Sequence, residues 1–294
     1  MRVIRERLPE GERVLALGTF DGLHCGHCRL IQEAAACARE RGIPLRVCTF
    51  DRHPLSVVHP EAAPGLLSTL PEKLRLMARL APDEVQILPF SARMAGMEPE
   101  TFLSALCGRR QVRDIFVGWN YTFGRGGRGN PALLRSAGAQ MGFETHVLSP
   151  VRTEAGRIVS STAIREMLAS GRVEEAAAML GAPYTMTGVV KEGGAPEQGR
   201  IRLAFPAEKL LPAPGAYTCR TEDRRHSGKG QLRVAEDVKG HRIVEINDFT
   251  GPVWEAGQPV RVTLLERIRG PLEPASLWDP EQDGLDALKR LNMA

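Results

Sequence analysis

Residues Val14 to Leu30 read VLALGTFDGLHCGHCRL. The stretch opens as a short apolar run, Val14 to Leu17, bounded by Gly18, which reads as a buried strand. It turns through Gly18, Thr19, Phe20, Asp21 and Gly22 and enters a helix rich in Ala, Gln, Glu and Leu. His24 and His27 stand three apart at the start of that helix, a spacing that shares one helix face, so both imidazoles can point at one object. The free N–H groups and positive dipole end of a helix N-terminus favour an anion there. A strand, a glycine turn and a helix opening with paired imidazoles together point to a nucleotide phosphate site.

Outward from this stretch, strands and helices of about ten residues alternate, which argues for a parallel sheet covered on both faces. Strands are expected at 44–50, 85–88, 114–118 and 143–148. Helices are expected after Ser68-Thr69, at 98–106 and 131–142, and as a pair around Gly171. The loops at 18–27, 51–54 and 119–130 all follow strands, so all three belong on the carboxyl rim where such sheets bind ligands. From Tyr184 the texture changes to short β-prone runs between turn residues, which reads as a small antiparallel barrel or sandwich, with a closing helix at 284–292. Two domains follow, 1–183 and 184–294, in line with the prior of roughly 150 residues per domain.

The 294 residues carry a net charge of +4, which suits an anionic small molecule and is too small to argue for nucleic acid. Six cysteines without framework spacing read as reduced thiols in a cytosol. No window approaches the ~18 apolar residues of a membrane span, and the charged N-terminus is no signal peptide, so a soluble cytoplasmic protein is expected. Composition says nothing about oligomeric state.

Other readings compete for the same residues. His24, Cys25, His27 and Cys28 are all potential metal ligands, but a structural zinc draws on two separated pairs, and no second pair exists; the cysteines read as small packing residues. The Gly124 to Gly129 segment, GRGGRG, is a single Arg-Gly-Gly unit, either a surface loop or one that covers substrate. Ser160, Ser161 and Thr162 can cap a helix and, with Arg165 one turn in, can present donors and positive charge to a leaving phosphate group. His53 follows a strand end and carries little weight by itself; His59, His146, His226 and His241 have no supporting context.

Four ordered motifs then converge. Gly18 to His27, GTFDGLHCGH, resembles the G-x-F-D-G-x-H-x-G-H signature of nucleotidyltransferases. Thr49 to Pro54, TFDRHP, is similar to T-F-D-P-H-P; Val117 to Gly124, VGWNYTFG, to V-G-x-[DN]-F-x-F-G; and Ser160 to Arg165, SSTAIR, to S-S-T-x-I-R. Together they resemble the bacterial bifunctional riboflavin kinase/FAD synthetase family. The resemblance implies an α/β Rossmann-like nucleotidyltransferase domain followed by a kinase-like β-barrel. Its chemistry would be FMN plus ATP giving FAD and pyrophosphate, with Mg2+ as the ATP counter-ion. Carried over by position, Gly18, Thr19, Phe20 and Asp21 lie against the adenosine and His24 and His27 hold ATP phosphates. Ser161, Thr162 and Arg165 take the departing phosphates, and His53 and Asn120 help place FMN. His24, His27, Asn120 and Arg165 form the expected catalytic set, and no protein-held metal is expected.

The second half fits the family less well. Gly199 to Pro206, GRIRLAFP, aligns with the kinase's approach, but where the family continues P-T-A-N this chain has Pro206, Ala207, Glu208 and Lys209. Asp248-Phe249 resembles the end of E-x-H-x-x-D-F, which puts the kinase base on Ile243, with Glu245 two residues away on the same strand face. Kinase activity is therefore expected to be lost or severely reduced. A retained kinase using Glu245, another nucleotidyltransferase, and a non-catalytic flavin-binding regulator stay open as alternatives.

Overall fold

A computed structural model describes residues 1–5, 11–107, 112–192, 200–223, 225–236 and 242–268. The chain divides into two compact units, Met1–Thr187 with Phe205–Leu211, and Gly188–Ala204 with 212–294.

The first unit is a six-stranded parallel sheet with the order β1-β4-β3-β2-β5-β6, formed by β1 (Arg2–Ile4), β2 (Arg13–Leu17), β3 (Leu45–Phe50), β4 (Glu84–Leu88), β5 (Val112–Gly118) and β6 (Glu144–Leu148). The helices are α1 (Cys25–Arg41), α2 (Leu55–Val58), α3 (Leu70–Ala78), α4 (Ala92–Ala95), α5 (Pro99–Cys107), α6 (Pro131–Met141), α7 (Ser161–Ala169) and α8 (Val173–Leu180). Successive β2 side chains serve opposite faces. Val14 and Ala16 join Leu30, Ile31 and Ala34 of α1, whereas Leu15 and Leu17 join Phe102 and Leu103 of α5 and Leu134 of α6. Both faces of the strand are therefore apolar, which is why its sequence shows no alternation. The edge strand β1 has no sequence signal: three residues flanked by charge carry no period, and only pairing with β4 makes them a strand.

The order reverses at β2. The chain winds outward through β3 and β4, then crosses back to β5 on the other side. Loops after β2 and β5 leave this switch point towards opposite faces of the sheet, at the carboxyl rim where such sheets bind ligands. Hydrogen bonds carry the ladders to that rim: Gly18 N donates to Cys48 O (3.2 Å), Asp51 N to Leu88 O (3.1 Å) and Trp119 N to Leu148 O (2.9 Å).

The second unit is a closed six-stranded barrel, resolving the choice between barrel and sandwich. Its strands are β7 (Thr185–Glu192), β8 (Arg200–Ala204), β9 (Gly215–Glu222), β10 (Ser227–Glu236), β11 (Arg242–Thr250) and β12 (Pro259–Arg267), in the order β10-β11-β8-β7-β12-β9. Leu203, Tyr217, Cys219, Leu232, Val234, Val244, Ile246, Val262 and Leu264 are buried at alternate positions and fill it, as a small barrel requires. β10 and β11 run further than their apolar cores indicate, because ladder pairing extends through polar residues such as Asn247 and Lys229. The expected helix at 284–292 lies outside the described residues.

The 205–211 segment leaves β8 to join the first unit. Leu66 N donates to Glu208 O (2.7 Å) and Leu210 N to Leu66 O (2.9 Å). Lys209 Nζ, fully buried, pairs with Glu72 Oε2 at 2.8 Å and donates to Leu67 O (2.7 Å) and Thr185 O (3.2 Å). Burial pushes the Glu72 carboxyl up, but the Lys209 ammonium, aided by N–H bonds from Thr69 and Thr187, outweighs this and holds it below its ordinary value. Lys209→Met leaves a buried carboxylate unpaired and is expected to cost about 3–5 kcal/mol at neutral pH by denaturant titration. Because the folded pKa of Glu72 is depressed, the wild-type contribution is present above the unfolded value of about 4.3 and fades as pH falls through the folded one. The difference between wild type and Lys209→Met is therefore expected to narrow in acid.

Candidate functional site

The site grows from the turn after β2. Phe20 (φ 51°) and Leu23 (φ 44°) are left-handed non-glycine residues, a strain of about 1–3 kcal/mol each that surrounding contacts must hold. Gly22 (φ 78°) suits a left-handed turn, and a Cβ there would come within 2.8 Å of Leu67 Cδ1, so a larger residue is strained and must displace that side chain. The Asp21 carboxylate, buried, supplies the hold. Oδ2 accepts from Leu67 N (3.0 Å) and Arg165 Nη2 (2.5 Å), and Oδ1 from Ser68 N (2.8 Å) and Ser68 Oγ (3.2 Å). Gly22 N in turn donates to Ser68 Oγ (3.0 Å), and Ser161 Oγ donates to Asp21 O (2.9 Å). One acid thus fastens the β2 turn to the 65–68 loop and to the first turn of α7.

His24 is the N-cap of α1, its Nδ1 accepting from His27 N at 3.3 Å. The two imidazoles stack, with centroids 3.6 Å apart and an angle of 16° between the rings, and Phe20 meets His27 edge-on at 5.2 Å. Gly26 makes room for this: a Cβ there would lie 3.2 Å from the His24 ring. Burial drives His24 down to about 4, and burial together with His24 and Lys73 holds His27 well below its usual value. Both rings are therefore neutral at pH 7. With His24 Nδ1 engaged as an acceptor, its proton sits on Nε2, which is left to donate. His27 Nδ1 is buried without a hydrogen-bond partner among the described residues.

Ser160, rather than Ser161 or Thr162, caps α7, its Oγ accepting from Ala163 N (3.1 Å); Thr162 is exposed. Arg165 stands one turn in, as expected, but its Nη2 is engaged by Asp21 and its Nε donates to Gly65 O (2.9 Å). His53, half-buried, accepts from Leu55 N through Nδ1 (3.2 Å); burial, with the Arg165 charge, lowers its pKa. Asn120 lies exposed beyond the carboxyl end of β5, the strand beside β2, and no hydrogen bond joins it to the imidazoles among the described residues. The glycine- and arginine-rich loop is tied down by Arg125 N donating to Met97 O (2.7 Å) and by contacts of Arg125 and Arg128 with Glu98.

Nothing in the sequence marks Glu72 and Lys73 of α3 as buried: the spacing from Thr69 suits Glu72 to a capping box, and adjacent charges look like an exposed helix pair until packing is known. Lys73 Nζ donates to Thr19 O (2.9 Å), Thr49 Oγ1 (3.2 Å) and Phe50 O (3.2 Å), and burial brings it down to about 8. Away from the rim, Cys37, Asp114 and His146 gather ligand atoms within 4.8 Å, but Arg41 already supplies the cation there, its Nε 2.6 Å from Asp114 Oδ2.

Comparison with known proteins decides what this arrangement belongs to. The family model described as FAD synthetase matches residues 7–163, the stretch that holds almost the whole arrangement. The chain belongs to the FAD synthetase family. It is an enzyme of the nucleotidyltransferase kind. The bifunctional riboflavin kinase/FMN adenylyltransferase of Escherichia coli strain K12 is 30% identical over 94% of this chain and 92% of its own length. The enzyme of the same description from Listeria monocytogenes is 31% identical over 81% and 77%. Among solved structures, one described as a macrolide-efflux protein from Streptococcus pneumoniae superposes with a TM-score of 0.80 at 27% identity, covering 99% of this chain and 97% of that one. No described helix here is long and apolar enough to cross a membrane.

For this FAD synthetase the buried imidazoles set a clear expectation. In the ligand-free protein, the ring-proton NMR shifts of His24 and His27 are expected to stay constant between about pH 6 and pH 8, where an ordinary histidine would titrate.

Proposed function

We propose that the first unit transfers AMP from ATP to FMN, giving FAD and pyrophosphate. The observation that carries this is the stacked, neutral imidazole pair at the start of α1, fixed at the switch point of the sheet. The bond that forms joins an FMN phosphate oxygen to the α-phosphorus of ATP. The bond that breaks releases pyrophosphate with its electron pair, and no protein nucleophile is required. Catalysis is then positioning and charge stabilisation.

In this reading the backbone of Gly18, Thr19, Phe20 and Asp21 lies against the adenosine, with the Phe20 ring kept in the core below His27. His24 and His27 donate from neutral rings to phosphate oxygens where negative charge accumulates. Ser161, Thr162 and the α7 start serve the departing pyrophosphate. Arg165 contributes its charge from a fixed position, since Asp21 and Gly65 already hold two faces of its guanidinium. His53 and Asn120 orient the FMN phosphate. Mg2+ fits as the counter-ion that enters with ATP: Asp21, the buried carboxylate of the turn, is saturated by four donors and is not available as a ligand.

We further propose that riboflavin kinase activity is lost. Ala207 lacks a hydroxyl, and Lys209 spends its ammonium on Glu72, Leu67 O and Thr185 O. Ile243 cannot accept a proton. Glu245, the alternative base, is buried on β11 with Arg202 and Arg233 as its cross-strand neighbours.

Incubating the protein with FMN, ATP and magnesium is expected to yield FAD by chromatography; tight FMN binding without FAD would favour a flavin-binding regulator. His27→Ala is expected to slow turnover by about 100- to 1,000-fold with the fold intact by circular dichroism, and near-normal turnover would remove His27 from the mechanism. With riboflavin as substrate, FMN formation is expected to be at least about 100-fold slower than FAD formation. Comparable rates would mean a working kinase, the activity for which the relatives are named.

A further inference from the structure

Buried cations of the first unit come with their own carboxylates. Arg13 and Arg46 share Glu84, Lys209 has Glu72, and the partly buried Arg165 has Asp21. Lys73 differs. Its ammonium is buried beneath the rim, and among the described residues no carboxylate lies within ion-pair distance of it. Its three protons go to Thr19 O in the glycine turn, Phe50 O at the end of β3, and Thr49 Oγ1, which itself donates to Thr19 O (2.9 Å). With three protons and three acceptors, Lys73 has none left for a substrate. Its partners are the two loops that the proposed reaction uses, the one leading to His24 and the one carrying His53.

Burying a lysine this way is costly unless an opposite charge arrives. The groups that share its field are the Asp21 and Asp51 carboxylates, which favour the charge from a distance, and the imidazoles of His27 and His53. The carboxylates already have partners: Arg165 and the 67–68 backbone hold Asp21, and Arg52 and Phe90 N hold Asp51. A nucleotide polyphosphate beside the imidazoles would be the missing counter-charge.

We propose that Lys73 is a positioning residue for adenylyl transfer, locking the β2 turn to the β3 loop, and that its buried charge is balanced by the ATP phosphates. The inference rests on the adenylyltransferase reading. It separates from that reading because ATP binding can be measured without FMN.

Binding raises the pKa of an ammonium that gains an anion, so ATP affinity is full below the free value near 8 and declines as pH rises past it. Calorimetry of Mg-ATP binding in two buffers of different ionisation enthalpy, near about pH 8.5, is expected to show uptake of about half a proton or more per ATP. In Lys73→Met that uptake is expected to vanish, and kcat/KM for ATP to fall about 100-fold. Wild-type binding without proton uptake would overturn the proposal whether or not the variant folds. So would undiminished uptake in Lys73→Met, which would assign the proton to the imidazoles, or FAD synthesis by that variant within about threefold of wild type. Failure of the wild-type protein to make FAD would instead count against the adenylyltransferase reading, and the uptake measurement would still judge Lys73.

Discussion

The candidate site depends on the Asp21 carboxylate. A turn containing two left-handed non-glycine residues would relax if left to itself, and the imidazoles would lose their common aim. Asp21 prevents this by accepting four hydrogen bonds from the 67–68 backbone, Ser68 and Arg165, while Ser161 binds its carbonyl. Three segments far apart in sequence thus become one rigid frame. Each bond to a buried, charged acceptor is worth more than an ordinary one, because losing it leaves the acid without compensation.

Within that frame, electrostatics are arranged by burial more than by opposed charges. The imidazoles are neutral because burial disfavours their charged form, so in the proposed reaction they would act as hydrogen-bond donors and not as a cationic clamp. Positive potential comes instead from the α1 N-terminus, the anchored Arg165 and the Lys73 ammonium below. These are preorganised dipoles and charges whose reorientation costs nothing when negative charge arrives.

The segment after β8 shows the opposite use of a buried charge. At Lys209 the ammonium is fully consumed by Glu72 and two carbonyls, so its charge serves the packing of the first unit. Glu72 also closes the capping box of α3, whose next residue is Lys73. Two neighbouring positions on one helix therefore differ, Glu72 pairing with a cation and Lys73 bonding only to uncharged oxygens of the β2 turn and β3.

Much of this architecture is legible in the amino-acid sequence. The apolar runs followed by glycine turns, the helix-start histidines and the barrel-like spacing after Tyr184 all carry local signals, since strands, caps and turns are decided by neighbours within a few residues. The order of the four motifs is enough to place His24, His27, His53, Asn120, Ser161 and Arg165 on candidate loops and helix starts. What the sequence does not supply are facts about residues that meet across long separations. The edge strand β1 exists only through pairing with β4. The Asp21 to Arg165 bond spans 144 positions and turns an expected free phosphate ligand into an anchored one. Glu72 and Lys73 look like a solvated helix pair until packing buries both, and Lys209 looks like a spare cation until Glu72 is found beside it. Local chemistry determined which residues can bind an anion; desolvation and partner choice, which only the tertiary structure decides, determined which of them remain free to do so.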